Sequence, residues 1–368
     1  MQEELQNSNK LITCHHCGQQ SQKVDLEGYK KAICSRCHSS LYHEHSNKNF
    51  KLAFLYAITA LILFIPSNIY PMLTFELAGN VFSATFLQSA QILQQQGYSF
   101  VSLVVFLTAI VFPIINSVVI IFIYLEKTDK IDIIKSKSLK KVYSFTKSTS
   151  FIEVYLLALL VGYIKLVDIS DVTVHTSIYF FIGYVLFFIL SMSQIHTTQE
   201  FHYKHEIQNS YNWSFALIVT GLILYIPANY FTMMNISKFG FVTPDTIMSG
   251  IINLATHDML HIAIIVFIAS IIIPLFKLLG MLFILLSIKF NFYNNKITLL
   301  KLYKFIEIIG KWSILDVYMV ALLISYVKDE SIAFIEPGVA VTFFTVVILV
   351  TMVATSLFDT KLLWNNNE

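Results

Sequence analysis

Charged residues are scarce in this chain of 368 residues, since Asp, Glu, Lys and Arg together make up 13% of it. Ordinary soluble domains contain about 25%. The 31 Phe and 19 Tyr exclude a solvated, disordered chain, and a net charge of +2 does not suit a nucleic-acid-binding surface. Cysteine is scarcer still, with four residues that all precede position 38. Instead, 56% of the residues are hydrophobic and the mean hydropathy is +0.66, which predicts a protein embedded in a bilayer.

Eight apolar stretches follow residue 51, each near the ~20 residues that an α-helix needs to cross about 30 Å of hydrocarbon. They are too long for the strands of a membrane β-barrel, which need about ten residues of alternating character. The sequence therefore predicts an all-α polytopic membrane protein with eight transmembrane helices. The predicted spans are residues 52–72, 100–125, 151–167, 175–195, 214–234, 261–288, 313–327 and 338–358.

Lys and Arg are distributed unequally between the two sides of the predicted membrane. The N-terminal segment, the C-terminal tail and the connections on the same side contain 21 of them, whereas the opposite side contains three. Because positive residues are held in the cytoplasm, both termini are predicted to be cytoplasmic. Residues 1–50 contain no apolar run long enough for a signal peptide, so we expect the first span to direct insertion.

The second half of the membrane region resembles the first half. Residues 60–72 and 221–233 share seven of 13 positions, and residues 150–165 and 313–328 share eight of 16. The aligned positions include Pro, Asn and an acid-Val-Tyr sequence, which hydrophobic composition alone does not explain. Because four spans return the chain to its starting side, the sequence predicts two tandem four-helix repeats of the same orientation, related by an axis along the membrane normal.

The four cysteines form two Cys-x-x-Cys pairs, Cys14 with Cys17 and Cys34 with Cys37. Two such knuckles can hold Zn²⁺ in a closed, structural site within a segment too small for its own core. A disulfide, a redox pair or an iron centre are the alternatives, and a reducing cytoplasm disfavours the disulfide. We predict one structural zinc in a ribbon of about residues 12–40. The nearby histidines, which are expected to be solvated, are His15, His16, His38, His43 and His45.

The predicted organisation places a linker where the repeat leads us to expect a second ribbon. This linker has no cysteine but contains His196, His202 and His205. A solvated linker is favoured over a second metal site. The predicted units are a cytoplasmic segment over 1–50, a first repeat over 51–195, the linker over 196–212, a second repeat over 213–358 and a cytoplasmic tail over 359–368.

Polar side chains within the predicted spans are candidates for function, because they are costly in hydrocarbon. Lys277 follows Pro274 within the sixth span, where a proline kink and a wet cavity are favoured over snorkelling to the interface. The acids at the starts of the third and seventh helices and the lysines at their ends complement the helix dipole, so anchoring is favoured over a transport role for them. The candidates are Asn68, Asn116, Glu153, Tyr155, Lys165, Asn229, Lys277, Asp316, Tyr318 and Lys328, with helix kinks at Pro66, Pro113, Pro227 and Pro274.

Motifs of common enzymes are missing from the sequence. It contains no Gly-x-x-x-x-Gly-Lys-Ser/Thr loop, no His-Glu-x-x-His and no Gly-x-Ser-x-Gly. We therefore expect neither nucleotide hydrolysis by that loop nor enzymatic activity of the metalloprotease or esterase type.

Several features together resemble the paraquat-inducible protein A family. They are the paired cysteine knuckles, the duplicated unit, the Pro-x-Asn ends of the first and fifth helices, the segment Trp312–Tyr318 and the closing segment Phe358–Trp364. The resemblance covers about residues 12–364. It implies an inner-membrane protein of a double-membraned bacterium that exchanges lipid with a periplasmic tunnel protein of the MCE type.

The resemblance also assigns residues. It implies that the four cysteines are the ligands of a zinc ribbon and that Glu153–Tyr155 and Asp316–Tyr318 are the repeated motif of the third and seventh helices. Many relatives carry further cysteines between the two halves, and this chain departs from that pattern.

Three functions remain open at this point. In the leading hypothesis phospholipid passes between the halves, and Lys277, Asn116, Asn229 or Lys165 contacts the head group. In the second hypothesis the chain is a scaffold that anchors its MCE-type partner without carrying lipid. In the third it regulates an envelope-stress response through the ribbon.

Overall fold

The fold was obtained as a computed structural model, and most of the described chain is helical. Short strands occur in the N-terminal segment and between some of the helices. The structure describes residues 11–22, 31–43, 50–77, 80–128, 136–167, 171–195, 207–238, 241–256, 260–293, 295–326, 328–329 and 333–364.

Within the described ranges each half of the membrane region contains seven helices, and they occur in the same order in both halves. In the first half they are α1 (Phe50–Ile69), α2 (Phe86–Gln95), α3 (Ser99–Phe106), α4 (Phe112–Lys127), α5 (Ser136–Thr149), α6 (Ile152–Val167) and α7 (Ser177–Ser193). In the second half they are α8 (Ile207–Tyr230), α9 (Ile247–Thr256), α10 (Leu260–Phe267), α11 (Ile273–Phe290), α12 (Lys296–Ile309), α13 (Leu315–Tyr326) and α14 (Val339–Leu357).

Helices α3 and α4 are joined by a π-helical turn over Leu107–Val111, and α10 and α11 by another over Ile268–Ile272. Pro113 and Pro274 follow these turns directly, at the beginning of α4 and α11. A proline ring in a regular helix collides with the carbonyl four residues earlier, which here belongs to a residue of the π-helical turn. The wider turn therefore accommodates both prolines within one long apolar rod.

Two further breaks interrupt the helices that lead into the predicted third and seventh spans. Helix α5 ends before Ser150, and α6 begins at Ile152. In the second half a 3₁₀ turn over Gly310–Ile314 separates α12 from α13. The sequence patterns predict α6 and α13 as separate spans but do not predict the preceding helices α5 and α12.

In the part of the chain that the structure describes, seven helical segments are long enough and apolar enough to cross a membrane, whereas the sequence predicts eight. They are Phe50–Ile69, Ser99–Glu126, Val142–Ile164, Asn209–Tyr230, Ala263–Phe290, Lys296–Tyr326 and Val339–Leu357. The expected fourth span forms α7, an apolar helix of 17 residues, at the lower limit of about 17 for crossing a bilayer.

The connections contain two small antiparallel sheets, so the expectation of an entirely helical membrane region is incomplete. The first has the strand order β6-β5-β7, with β5 at Leu73–Leu77, β6 at Asn80–Ala84 and β7 at Asp171–Val174. The second has the order β10-β11-β8-β9, with β8 at Met234–Lys238, β9 at Phe241–Asp245, β10 at Lys328–Asp329 and β11 at Ala333–Pro337. Strand β7 pairs with β5, and strand β11 pairs with β8. These pairings join the segment after α6 to the segment after α1, and the segment after α13 to the segment after α8.

Packing between the helices defines the core. Helix α1 lies against α7, α8 lies against α14, and α6 packs against α13 where the two halves meet. Every residue of α13 is buried, from Leu315 to Tyr326. The contact between α6 and α13 therefore forms the centre of the structure.

Candidate metal centre and buried polar site

The N-terminal segment folds as two hairpins that each present a cysteine pair. Strands β1 (Leu11–Thr13) and β2 (Gln20–Gln22) flank the first knuckle, and β3 (Lys31–Ile33) and β4 (Ser40–His43) flank the second. In each knuckle the residue after the second cysteine donates its N–H to the carbonyl of the first cysteine. That residue has a left-handed backbone, with φ of 75° at Gly18 and 57° at His38. Glycine adopts this conformation without steric cost, and histidine is among the residues that tolerate it.

The four thiols converge on one point. All four sulfur atoms lie within 4.8 Å of one another and all four residues are buried. The Sγ atoms of Cys14 and Cys37 are 3.6 Å apart, and those of Cys17 and Cys34 are 3.5 Å apart. A tetrahedral site with Zn–S bonds of about 2.3 Å requires sulfur separations of about 3.8 Å. The separations are too long for a disulfide, and the donor set fits a metal ion held by four thiolates.

The electrostatic environment of the thiols is mixed. Burial raises the pKa of the Cys14 and Cys17 thiols above the ordinary value. Burial also acts to raise the pKa of Cys34, but hydrogen bonds from the backbone of Cys37 and Arg36 outweigh it and lower that pKa to about 7. Backbone N–H groups directed at a sulfur stabilise its thiolate form, which is the form that binds metal.

The ribbon packs against the second half of the chain. The ammonium of Lys304 on α12 donates to the hydroxyl of Ser39 over 2.8 Å. The guanidinium of Arg36 lies 4.8 Å from the centre of the Trp364 ring, within range of a cation–π contact. The cysteines share a buried apolar cluster with Leu362 and other residues of α11, α12 and α14. The metal centre is therefore fixed to α12 and to the C-terminal 3₁₀ turn over Thr360–Leu363.

At the centre of the membrane region, Tyr155 of α6 and Tyr318 of α13 face each other. Their ring centroids are 5.2 Å apart and both residues are fully buried. The hydroxyl of Tyr318 lies 2.7 Å from that of Thr108, in the π-helical turn of the first half. The hydroxyl of Tyr155 lies 3.2 Å from that of Ser89 on α2. The two tyrosines predicted from the repeated acid-Val-Tyr sequence thus meet at the contact between the halves.

The two predicted acids have different surroundings. Asp316 is 3% exposed, and its carboxylate accepts a hydrogen bond of 2.6 Å from Ser270 in the π-helical turn of the second half. Glu153 is about a third exposed and lies 3.9 Å from the ammonium of Lys311. One acid is therefore a buried acceptor, and the other is part of a loose ion pair between the two halves.

Lys277 is buried, with 1% of its surface exposed. A Cβ atom on Gly310 would lie 2.9 Å from its Nζ and 3.2 Å from its Cε, so the lysine side chain occupies the space that this glycine leaves free. Gly310 directly follows α12 and begins the 3₁₀ turn that continues into α13, so the side chain of Lys277 lies against the break between these two helices.

Asn116 on α4 is the counterpart of Lys277 and is also fully buried. Its side-chain nitrogen donates to the hydroxyl of Thr146 over 3.1 Å, close to the end of α5. Among the described residues its Oδ1 has no partner, and neither do the buried hydroxyls of Ser150 and Ser313 at the two helix breaks. Unpaired polar atoms in a buried site commonly mark a ligand or water site, because leaving them unpaired is costly.

The remaining predicted residues lie away from this centre or outside the description. Asn68 and Asn229 each donate to the carbonyl four residues earlier, which belongs to Phe64 and Tyr225 respectively. Pro66 and Pro227 lie within α1 and α8. The backbones of Lys165 and Lys328 are placed at the ends of α6 and β10, but their side chains lie outside the described part of the chain, as do His196, His202 and His205.

Sequence reasoning missed four residues that contact the predicted polar side chains. They are Thr108, Ser270, Gly310 and Lys311. Ser270 lies four residues before Pro274, and that spacing could have identified it as a residue beside the kink. The pairing of Thr108 with Tyr318 crosses between the halves and has no signal in the sequence.

The chain is similar to several known proteins over nearly its whole length. It is 26% identical over 402 residues to a protein of Haemophilus influenzae named probable intermembrane transport protein, with 96% of each chain covered. It is 23% identical to the intermembrane transport protein PqiA of Escherichia coli K12, with 98% of this chain and 97% of the relative covered. It is also 23% identical to the lipophilic envelope-spanning tunnel protein A of the same organism, with 96% and 91% covered.

No solved structure matches the chain significantly. The sequence model of one family, described as paraquat-inducible protein A, matches residues 51–203 and 211–368. These two segments together contain both halves of the membrane region. The chain therefore belongs to the paraquat-inducible protein A family.

Proposed function

We propose that this chain is the inner-membrane component of an intermembrane lipid transport system. It exchanges phospholipid with a periplasmic MCE-type tunnel protein and has no enzymatic activity. The names of its relatives, intermembrane transport protein and envelope-spanning tunnel protein, support transport across the envelope. Both termini are cytoplasmic in this proposal, as the distribution of Lys and Arg favours.

The observation that carries the proposal is the burial of Lys277 and Asp316 in the second half, where Asp316 lies on the helix α13 that packs against the first half. Lys277 beside Gly310 and Asp316 beside Ser270 place both signs of charge within apolar helices. Burying such groups is costly, so they indicate a substrate path more than a packing role. An ammonium can contact the phosphate of a lipid, and the apolar helices around it can accept acyl chains.

The duplication of a four-helix unit is part of the proposal. The π-helical turns, the prolines after them and the helix breaks recur in the same order in the two halves. The match of one family model to two segments of the chain supports this origin. Each half contributes four spans in this proposal, with α7 as the fourth span of the first half. An even number of spans gives both halves the same orientation, so a shared path between them follows the membrane normal.

We also propose that the ion held by Cys14, Cys17, Cys34 and Cys37 is zinc in a structural role. Four thiolates leave no coordination position open for a substrate. Metal analysis of the purified full chain tests the identity of the ion, with Cys14→Ser/Cys17→Ser as the disrupted variant. His38→Asn is the matched control, because asparagine also tolerates a left-handed backbone. One zinc per chain in the control and none in the double variant is expected, whereas iron in the wild type would contradict the proposal.

A transfer assay tests the function. The full chain is reconstituted in vesicles of phosphatidylethanolamine and phosphatidylglycerol with a labelled phospholipid, and an MCE-type protein of the same bacterium is the acceptor. Lys277→Met is expected to lower the transfer rate about tenfold, which corresponds to the loss of one charge-assisted contact. Lys289→Met is the control, because Lys289 is an exposed lysine on the same helix.

Each outcome of this assay has a clear meaning. Slow transfer by the Lys277 variant with normal transfer by the Lys289 variant supports a path through the buried site. Normal transfer by both variants contradicts it. Binding of the acceptor without any transfer by the wild type favours the scaffold function, for which the exposed Phe241 and Val242 of β9 offer a docking surface.

A further inference from the structure

Helices α6 and α13 occupy equivalent places in the two halves, but only one of them is fully covered. All residues of α13 are buried, whereas α6 has an open stripe along one face. Leu160, the clearest member of the stripe, is 54% exposed, and its counterpart Leu323 is 2% exposed. The stripe consists of Glu153, Leu156, Leu157, Leu160 and Tyr163. Their spacing of three or four residues places them on one face of a helix.

The difference arises from which elements cover each helix. In the first half α2, α3 and β6 pack against α13. Their counterparts α9 and α10 make at most marginal contact with α6 within the described ranges. The contact between the halves is therefore closed along α13 and open along α6.

Hydrogen bonds hold the closed side together. The hydroxyl of Tyr98 donates to the carbonyl of Pro337 over 2.6 Å, and Thr108 pairs with Tyr318. Both bonds join the first half to the second. These bonds fix the closed side, so any opening between the halves lies along α6.

At one end of the open stripe, Glu153 of the first half lies beside Lys311 of the second half. Lys311 and Glu153 are 37% and 32% exposed, and their charged atoms are 3.9 Å apart. A charge-assisted hydrogen bond is shorter, about 2.7–2.9 Å, so both groups can turn to another partner. A zwitterionic phospholipid carries a phosphate for Lys311 and an amine for Glu153.

The open face continues beyond Tyr163 to the end of α6, where Ile164 is partly exposed and Val167 is 47% exposed. The apolar residues between the two ends provide a surface for acyl chains.

We infer that the open stripe of α6 is a lateral entry site for a zwitterionic phospholipid, whose head group binds between Lys311 and Glu153. The inference rests on the proposed function and adds to it the place of entry and the class of head group. It assigns Glu153 and Lys311 to head-group recognition and Leu160 to contact with the chains.

Photolabelling tests the entry site on the reconstituted full chain. The probe is phosphatidylethanolamine with a diazirine in one acyl chain, in vesicles of phosphatidylethanolamine and phosphatidylglycerol, and labelled peptides are mapped by mass spectrometry. Leu160→Trp fills the stripe, and Leu186→Trp is the matched control on α7, where Leu186 is 51% exposed. The transfer assay described above is run on the same variants.

We expect labelling concentrated on α6, and a decrease in both labelling and transfer of about tenfold for Leu160→Trp but less than about twofold for Leu186→Trp. Equal labelling of all exposed apolar faces overturns the inference and leaves the transport function intact. Strong labelling of α6 with normal transfer by Leu160→Trp also overturns it, because the lipid there is then not in transit. Absence of transfer by the wild type contradicts the proposed function instead.

The head-group assignment has its own test. Glu153→Gln removes the charge that faces the amine and keeps the shape of the side chain. We expect it to weaken labelling by the phosphatidylethanolamine probe while labelling by the corresponding phosphatidylglycerol probe is retained. An equal effect on both probes overturns recognition of the amine.

Discussion

The two halves of the membrane region share their order of helices but differ in where they bury charge. After the π-helical turns, the first half has Asn116 where the second half has Lys277, and both are buried. The acid at the start of the central helix is buried in the second half as Asp316 and partly exposed in the first as Glu153. Within the described residues, Lys277 and Asp316 of the second half are therefore buried, and α2 and α3 of the first half pack against the helix that carries Asp316.

The ribbon adds to this difference. It precedes the first half in the sequence but packs against α12 and the C-terminal turn of the second half. The candidate metal site and the buried Lys277 and Asp316 are thus all associated with the second half.

Removal of the metal is expected to have the largest effect. Structural zinc contributes about 10–16 kcal/mol to the folding of zinc-finger peptides, so a strong chelator should unfold the ribbon. Hydrogen–deuterium exchange should then increase in α12, which the ribbon contacts through Lys304, and remain unchanged in the equivalent helix α5. Equal increases in both helices would contradict a specific attachment to the second half.

Substitution of the two acids compares buried and exposed positions. Asp316→Ala leaves the hydroxyl of Ser270 without its acceptor, and we expect a loss of about 1.5–3 kcal/mol in the free energy of unfolding. Glu153→Ala breaks a partly exposed, long ion pair and should cost less than about 1 kcal/mol. Thermal unfolding of the full chain in nanodiscs measures both. The comparison fails if the Glu153 variant is the less stable of the two.

Gly310→Ala tests the contact between this glycine and Lys277. The added methyl group would displace the buried ammonium, and we expect a loss of about 1–3 kcal/mol from this overpacking. Lys277→Met removes the charged end, so the same Gly310 substitution should cost less in that background. A double-mutant cycle measures this coupling, and strictly additive effects would show that the two residues do not interact.

The two central tyrosines should give the smallest difference. The hydroxyl of Tyr318 is 2.7 Å from Thr108, and the hydroxyl of Tyr155 is 3.2 Å from Ser89. Because the shorter distance is near the optimum for two hydroxyls, Tyr318→Phe should cost about 1 kcal/mol and Tyr155→Phe less. Chemical denaturation of matched samples detects the difference, and a larger cost at Tyr155 would reverse the ranking.

Sequence patterns alone predict the helical rods and the cysteine cluster, because both depend on local signals. Long apolar runs predict membrane helices, and the spacing of Cys14, Cys17, Cys34 and Cys37 predicts a shared site. The nearly constant offset between the halves, with a slip of two residues, identifies Tyr155 and Tyr318 as equivalent residues. Their direct contact still required the structure.

The remaining features depend on packing between distant segments. The short strands β5–β11 have too few residues for a clear alternating pattern, and α5 and α12, the helices before the breaks, contain four and three lysines that interrupt their apolar pattern. The repeat makes Glu153 and Asp316 equivalent positions in the sequence. Their exposure differs because α2 and α3 cover the helix of Asp316, whereas Glu153 stays partly exposed. Which side of a repeated interface is closed follows from tertiary contacts rather than from the repeat.

Photocrosslinking in cells tests the central claim, that phospholipid passes between the halves, most directly. A diazirine-bearing amino acid replaces Lys277, and Met281, which is buried to the same extent one turn along α11, serves as the matched control. Val353 on the exposed face of α14 gives the level for bulk lipid. We predict capture of labelled phospholipid at position 277 at or above the level of position 353, with little capture at position 281. Capture at position 277 as low as at position 281 would contradict the account.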